Sequence, residues 1–192
     1  MDESLTEIRH ERSKKDFPKI AFEDGEYIEF VFSRAKVCLM MIWGGVVAGL
    51  ILILFGFLLT LMGLEMIDEM GVKFMFIILF ALLAAAIVAG LLATKIYHGN
   101  KLIITNIHVI QMITTTPVSN SINIIDLPQI EDASFRQDSL LEKLFHYGTC
   151  RLSTVGDETT YTFKYSDISP SDLKEVTKII TEAKKKLKES DD

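Results

Sequence analysis

The stretch GNKLIITNIHVIQMI, from Gly99 to Ile113, decides the fold of this 192-residue chain. It predicts one β-strand, a tight turn at Asn106 and a second strand, because β-branched and aliphatic residues flank a turn-forming asparagine. The stretch begins about five residues after an uncharged apolar run that ends at Thr94. The sequence therefore predicts a β-domain that starts almost directly at the end of a segment long enough to cross a membrane.

Two apolar runs predict transmembrane helices at residues 37–64 and 74–94. The first run has 28 residues without a charge, and the second has 21. About 20 apolar residues in a helix span the ~30 Å hydrocarbon core of a bilayer. A signal peptide does not fit the first run, because the run follows 36 largely polar residues and lacks a small-residue cleavage pattern.

The segment between the two runs, residues 65–73, is too short for a domain, so the spans are expected to form an antiparallel hairpin. Basic residues near the span ends are more numerous outside this loop than within it. By the positive-inside rule, a multi-pass membrane protein with both termini in the cytoplasm is expected. The basic residues counted are Lys19, Arg34 and Lys36 before the first span, Lys73 in the loop, and Lys95 and Lys101 after the second.

Small residues four positions apart occur in both predicted spans. Such spacing lets helix backbones approach closely in lipid. The pairs predict a contact between the two spans or with a second copy of the chain, although glycine and alanine are also simply common in membrane helices. The pairs are Gly45 with Gly49, Ala85 with Ala89, and Ala86 with Gly90.

The chain before the first span divides into two parts. Residues 1–25 are polar and of mixed charge, which predicts a disordered or loosely held arm. Within the juxtamembrane segment 26–36, EYIEFVFS (Glu26 to Ser33) alternates with a period of two, as in a strand. A helical extension of the first span is the alternative for this segment.

After Thr94 the sequence predicts six strands, a short helix and a closing helix. The short helix, 138–145, is expected to be capped by Asp138 or Ser139. Ser169 and Pro170 are suited to start the last helix, which has an apolar stripe at helical spacing. Adding the strand at Glu26 to Ser33 gives seven strands, so the membrane hairpin is expected to be inserted within one folded unit that lies against the inner leaflet. The stripe consists of Leu173, Val176, Ile179, Ile180, Ala183 and Leu187.

From Tyr97 to Leu187 the chain resembles the bacterial pleckstrin-homology-like domain that follows paired transmembrane helices. The resemblance depends on KLIITNIHVI with its Thr105-Asn106 turn, on LPQIED at 127–132, and on LLEKLFHYGT at 140–149. This chain has His108 where the family often has arginine. It also lacks the tryptophan typical of eukaryotic pleckstrin-homology helices, which removes one reason to expect phosphoinositide binding.

The resemblance implies an α+β domain at residues 97–188: a seven-stranded, strongly bent antiparallel barrel, open, with one end closed by the C-terminal helix. Together with the spans, the fold class is an integral membrane α-hairpin plus this domain. The family has no catalytic residues to transfer. It implies a membrane-associated module for binding or scaffolding.

No pattern in the sequence predicts an enzyme, a cofactor or a metal site. The four histidines, at positions 10, 98, 108 and 146, are too scattered to indicate a metal site, and no nucleophile elbow, phosphate loop or zinc motif occurs. The acidic group Glu65, Asp68 and Glu69 is expected to be a solvated loop. Cys38 and Cys150 are expected to be small buried hydrophobes. The net charge of −6 disfavours nucleic acid as a partner.

The sequence thus predicts a non-enzymatic inner-membrane protein that binds a protein segment or a lipid headgroup. The alternatives are a structural subunit of a membrane complex or homo-oligomer and, less favoured, an accessory subunit of an enzyme or transporter. The partners expected are the lipid bilayer, a protein not specified by the sequence, anionic lipid, and a second copy. The candidate contact residues, each of which also fits ordinary surface charge, are Arg136, Lys143, Arg151, Lys184, Lys185 and Lys186.

Overall fold

The computed structural model describes residues 3–62, 69–154 and 160–191, and it divides into two compact units. One unit combines Met1–Ala35 with His98–Asp192, and the other is Lys36–Tyr97. The helical hairpin therefore interrupts a single folded unit, here called the β-rich unit. This confirms the predicted insertion.

The elements of the described residues follow in chain order. The helices are α1 (Glu3–Asp16), α2 (Lys36–Met62), α3 (Glu69–Gly99), α4 (Leu140–Leu144) and α5 (Pro170–Asp191). The strands are β1 (Ile28–Ser33), β2 (Lys101–Thr105), β3 (His108–Thr116), β4 (Ser119–Asp126), β5 (Ile130–Arg136), β6 (Gly148–Thr154) and β7 (Thr160–Ser166), with a 3-10 turn at Leu127–Gln129.

Helices α2 and α3 pack as an antiparallel hairpin. Gly90 of α3 lies against Val46 and Trp43 of α2, whereas farther along the ring centroids of Phe57 and Phe76 are 5.1 Å apart. Because the contacting residues rise in number along α2 while they fall along α3, the two helices run in opposite directions. Helix α3 extends beyond the predicted 74–94 at both ends and includes residues 69–73 of the predicted loop, and residues 63–68 lie outside the described part of the chain.

Two helices, Lys36–Met62 and Met70–Gly99, are long and apolar enough to cross a membrane. Within the described structure α2 has no buried side chain, and large apolar residues such as Leu52 and Phe80 are exposed. An apolar surface of this extent is unfavourable in water. The exposed apolar surface of the helical unit is compatible with a location in a membrane.

The first sheet has the strand order β1-β2-β3-β4, and neighbouring strands are antiparallel. Strand β1, before the hairpin, pairs with β2, after it, so that Phe32 lies opposite Leu102 and Ser33 opposite Lys101. The strand interpretation of Glu26 to Ser33 is confirmed over Ile28–Ser33, and the alternative of a helical extension is wrong.

The second sheet has the order β5-β6-β7, and it is separate from the first. The expectation of one strongly bent seven-stranded sheet is therefore wrong, because the seven described strands form two sheets, which do not make a closed barrel. After Asp126 the chain turns through Leu127–Gln129, where Pro128 has no N–H to continue a ladder. At the other junction, one bridge joins Arg34 to Ser166.

The main core lies between the two sheets and α5. Helix α5 contributes Val176 and Ile180, and Leu173, Ile179 and Ala183 of its predicted stripe pack around them. Ser169 caps this helix, because its Oγ accepts a hydrogen bond from the Asp172 N–H at 3.2 Å. The side chain of Leu187 lies outside the described residues. Seven strands in two antiparallel sheets followed by a C-terminal helix fit a pleckstrin-homology-like domain. The core residues of the strands and turn are Phe32, Leu102, Ile104, Val109, Ile125, Leu127, Ile130, Cys150, Leu152 and Phe163.

The N-terminal segment differs from the disordered or loosely held arm expected at residues 1–25. Residues Glu3–Asp16 form helix α1, and the following segment covers the outer face of the first sheet. Ile20 is buried there with Ile103 and Ile110. The polar sequence of α1 gives no sign that the segment packs on the sheet, because the helix is attached through a polar residue. The Oγ atom of Ser13 accepts a hydrogen bond from the Ile28 N–H at 2.9 Å.

Candidate functional site

A buried polar cluster joins the N-terminal segment to strands β2 and β3. Its centre is Glu26, which is only 1% exposed. Glu26 Oε1 accepts a hydrogen bond from the Thr105 hydroxyl at 2.6 Å and lies 2.9 Å from His108 Nδ1, while Oε2 accepts from the Glu23 N–H at 2.9 Å. The other ring nitrogen of His108, Nε2, lies 3.3 Å from Asp126 Oδ1.

The environment of Glu26 favours its ionised form. Burial by itself raises the pKa of the carboxyl, but hydrogen bonds from Thr105, the Glu23 N–H and His108, with the charge of His108, leave it below the ordinary value of 4.5. Both carboxylate oxygens are occupied by these neighbours. The cluster is therefore a structural clasp, which joins the N-terminal segment to strands β2 and β3.

A second histidine reaches the same place. His10 of α1 donates from Nδ1 to the backbone carbonyl of Glu26 at 2.5 Å. Histidines that are scattered in sequence are thus brought together in part, at residues 10 and 108. No group of three or more His, Cys, Asp or Glu side chains in the described residues is arranged to hold a metal ion.

The predicted turn at Asn106 also fastens the N-terminal segment. Asn106 Oδ1 accepts from the Tyr27 N–H at 2.9 Å, and its Nδ2 donates to the Gly25 carbonyl at 3.2 Å. Gly25 has φ +76°, in the left-handed region that glycine adopts without strain. The Thr105-Asn106 turn, which is part of the resemblance described above, therefore holds the chain that leads into β1.

Strand β4 leaves one edge of the first sheet open. Within the described residues β4 pairs only with β3, and its outer edge has no strand partner. Ile122 and Ile124 are exposed along this strand, and Val118 in the preceding turn is 94% exposed. Strand β4 has no lysine, proline or register shift of its own to block an incoming strand.

Helix α4 presents a second apolar surface. Ser139 rather than Asp138 is its N-cap, with a complete capping box to Glu142. Leu140 is 85% exposed and Leu144 69%, and Leu141 and Phe145 are exposed too. A helix of five residues that buries none of its side chains is unusual for a structural element. These four side chains are here called the α4 apolar cluster.

The structure brings some of the predicted basic residues together. Arg136 lies opposite Thr149 and Arg151 opposite Ser134, so both arginines project from the same face of the second sheet. Arg136 Nε lies 2.5 Å from Asp138 Oδ1. Lys164 of β7 was not among the predicted residues, although the pairing of Thr162 with Arg151 places it on the same face.

The other candidate contact residues belong elsewhere. Lys143 is exposed on α4, which lies between β5 and β6 in the chain. Lys184 is half-buried and Lys185 exposed, both on the separate helix α5, and the side chain of Lys186 is outside the described residues. The six predicted residues therefore do not form one patch.

A cavity of about 200 Å³ lies between the N-terminal segment and the start of β2. Its lining is mainly apolar, with Phe17, Ile20 and Met112, and includes the basic side chains of Lys19 and Lys101. The Lys101 ammonium lies 4.8 Å from the centroid of the Phe17 ring. This cation–π contact partly stabilises the positive charge of the lysine.

The small residues of the hairpin have different surroundings. A Cβ atom at Gly90 would lie 3.0 Å from Val46 Cγ2, so this glycine sits in the contact between α2 and α3. At Gly45 and Gly49 a Cβ would meet no heavy atom within 4 Å. On α3, Ala86 is half-buried, and Ala85 and Ala89 are exposed.

Comparison with known proteins gave one structural similarity. No family model matches the sequence, and no curated protein matches it. A solved structure described as a DUF1696 family protein with a pleckstrin-homology domain, from Shewanella loihica PV-4, aligns with 13% identity and a TM-score of 0.32. The alignment covers 44% of this chain and 70% of that one.

Proposed function

We propose that this chain is a non-enzymatic, membrane-anchored binding module of the bacterial cytoplasmic membrane, with a pleckstrin-homology-like unit and both termini in the cytoplasm. The observation that supports the proposal best is the pairing of β1 with β2 across the inserted helices. Only residues 34–35 connect β1 to α2, and only residue 100 connects α3 to β2. Helices held in a bilayer would therefore confine the β-rich unit to its surface.

Confinement of the β-rich unit to the membrane surface would suit a binding module whose individual contacts with its partner are weak. Restriction to a surface raises the effective concentration of a partner in the same membrane, so modest affinity suffices. The partner we favour is an extended segment of another membrane protein that pairs with the open edge of β4. Backbone hydrogen bonds would supply affinity, and the exposed Ile122 and Ile124 would supply side-chain contacts.

The test is a pulldown of the full-length protein from native membranes, with quantitative mass spectrometry. Replacement of Ile124 by lysine puts a charge on the β4 edge and should reduce recovery of a true partner at least about tenfold. The control is Ile8→Lys, which changes a similarly exposed isoleucine on α1. Equal recovery with both variants, or no specific protein with the wild type, would reject the β4 edge as the binding site.

A structural role as a homo-oligomer is the second candidate, and one observation favours it. Gly45 and Gly49 lie on a part of α2 where an added Cβ would meet nothing, which leaves room for a helix of another copy. Crosslinking in native membranes tests this role. Gly49→Leu should abolish a dimer that uses this face, and a strict monomer in the wild type would exclude it.

A further inference from the structure

The α4 apolar cluster is the strongest unexplained surface of the β-rich unit. Leu140, Leu141, Leu144 and Phe145 are all exposed within a segment of six residues. Scattered exposed apolar residues are normal on a soluble surface, but a contiguous group of large ones indicates contact with a protein or lipid. The apolar core of the unit is complete without them, because α4 buries no residue.

Hydrogen bonds hold the α4 segment in a defined shape. Ser139 and Glu142 cap the start of the helix. At its end, Gln137 Nε2 donates to the carbonyls of Glu142 at 3.0 Å and Tyr147 at 2.9 Å. The Tyr147 N–H also donates to the Glu142 carbonyl, at 3.0 Å. The apolar side chains are therefore presented by an ordered loop, which reduces the entropy lost when they are buried on binding.

Three basic residues belong to α4 or to the sheet whose strands it connects. Lys143 is on α4 itself, and Arg151 of β6 and Lys164 of β7 project from one face of the second sheet. None of these three makes an ion pair with another residue in the described part of the chain, unlike Arg136, which pairs with Asp138. Large apolar side chains with flanking lysine and arginine fit the boundary between anionic headgroups and acyl chains.

We infer that the α4 apolar cluster inserts into the interfacial region of an anionic lipid bilayer, with Lys143, Arg151 and Lys164 contacting its headgroups. The charge favours this occupant over a second copy of the chain, because facing copies would bring these basic residues together. The inference adds a lipid contact that does not involve α2 or α3, and it rests on the proposed function only in taking the protein to reside in a membrane.

The experiment uses the full chain in nanodiscs, with an environment-sensitive fluorophore at Leu144→Cys. Cys38 is replaced by serine, and Cys150 is retained because it is buried. One set of discs contains phosphatidylcholine alone, and the other an equal mixture with phosphatidylglycerol. The matched control carries the label at Val118→Cys, an apolar residue that is more exposed than Leu144.

In the mixed discs, emission from the Leu144 label should shift to the blue and rise about twofold or more, and nitroxide-labelled lipids should quench it. In phosphatidylcholine discs the blue shift and the quenching of the Leu144 label should be weaker. The emission of the Val118 label should not change in either kind of disc. Replacing Lys143 and Arg151 by glutamine should make the mixed discs behave like the neutral ones.

Three outcomes separate the claims. If the protein does not stay in the discs, the proposed membrane anchoring fails. If it stays and the Leu144 label remains water-exposed in both lipids, the α4 inference is wrong and the anchoring stands. If the blue shift depends on the number of copies per disc and lipid quenching is absent, the cluster is an interface between copies, and the inference is again wrong.

Discussion

His108 Nδ1 lies 2.9 Å from Glu26 Oε1, although the two residues are 82 positions apart and the whole helical hairpin lies between them in the chain. The contact joins the last residues before β1 to the first residue of β3. With Thr105 and His10 on the same residue, it closes the β-rich unit across the insertion. The stability of this unit should therefore depend on Glu26 more than on other acidic residues of the N-terminal segment.

Glu26→Gln should lower the free energy of unfolding by about 1–3 kcal/mol, because an amide cannot satisfy all three donors that face the carboxylate. Thermal unfolding of the full-length protein in detergent micelles, followed by circular dichroism, measures the effect. The control is Glu29→Gln. Glu29 makes a partly exposed 3.7 Å ion pair with Arg9 and also interacts with the side chain of Tyr27, so this change should cost less than about 1 kcal/mol. Equal losses in the two variants would contradict a special role for the clasp.

The same carboxylate predicts how stability depends on pH. The pKa of Glu26 in the folded protein is lower than its ordinary value of 4.5, because hydrogen bonds outweigh the opposing effect of burial. The folded state thus releases its proton more readily than the unfolded state does. The resulting stabilisation is complete above pH 4.5 and is lost as the pH falls through the lower, folded value.

Thermal unfolding of the wild type and of Glu26→Gln between pH 7 and pH 3 tests this dependence. The difference in melting temperature between them should shrink as the pH falls below about 5. A difference that grows as the pH falls would show that the sign is wrong.

Gly148→Ala should destabilise the second sheet. A Cβ at this position would lie 2.5 Å from the Arg136 carbonyl oxygen and 2.6 Å from Phe135 Cζ, and the carbonyl belongs to a paired strand that cannot move freely. We expect a loss of about 1–3 kcal/mol, as for other overpacked positions. Hydrogen exchange of β5 and β6 measures it. Ser134→Ala, an exposed change on the same strand pair, is the control and should leave exchange unaltered.

Cys150 should be unreactive in the folded protein. Burial raises its pKa to about 12, so on the order of one molecule in ten thousand carries the thiolate at pH 8. Iodoacetamide should therefore label Cys150 only after denaturation, as shown by mass spectrometry of the digested protein. Labelling of Cys150 in the native protein at the rate of a free thiol would show that the core around β6 opens easily.

Much of the fold could be predicted from local patterns. The two-residue alternation of Glu26 to Ser33 identified β1, and its distance from β2 across the apolar runs indicated the insertion. The Ser169-Pro170 start and the apolar stripe identified α5. These signals could be recognised because each of them lies within a short stretch of consecutive residues. The turn at Asn106 was also local, although its hydrogen bonds to Gly25 and Tyr27 were not predicted.

The remaining features depend on tertiary contacts. Helix α1 has no apolar periodicity, because it contacts the sheet through Ser13 and His10, and polar residues in that pattern resemble a disordered arm. The pairing of Glu26 with His108 has no signal in sequence spacing. Whether seven strands close into a barrel depends on hydrogen bonds at two junctions, and a single proline, Pro128, was insufficient to show that the ladder stops at Asp126.

The placement of β1 ahead of the hairpin also sets an order of events during synthesis. Strand β1 leaves the ribosome before its partner β2 exists, and residues 34–100, which are 67 residues, must be made in between. At 5–20 residues per second this delay is roughly 3 to 13 seconds. During that interval Phe30 and Phe32 have no strand to cover them, so the nascent chain exposes both aromatic side chains until β2 emerges.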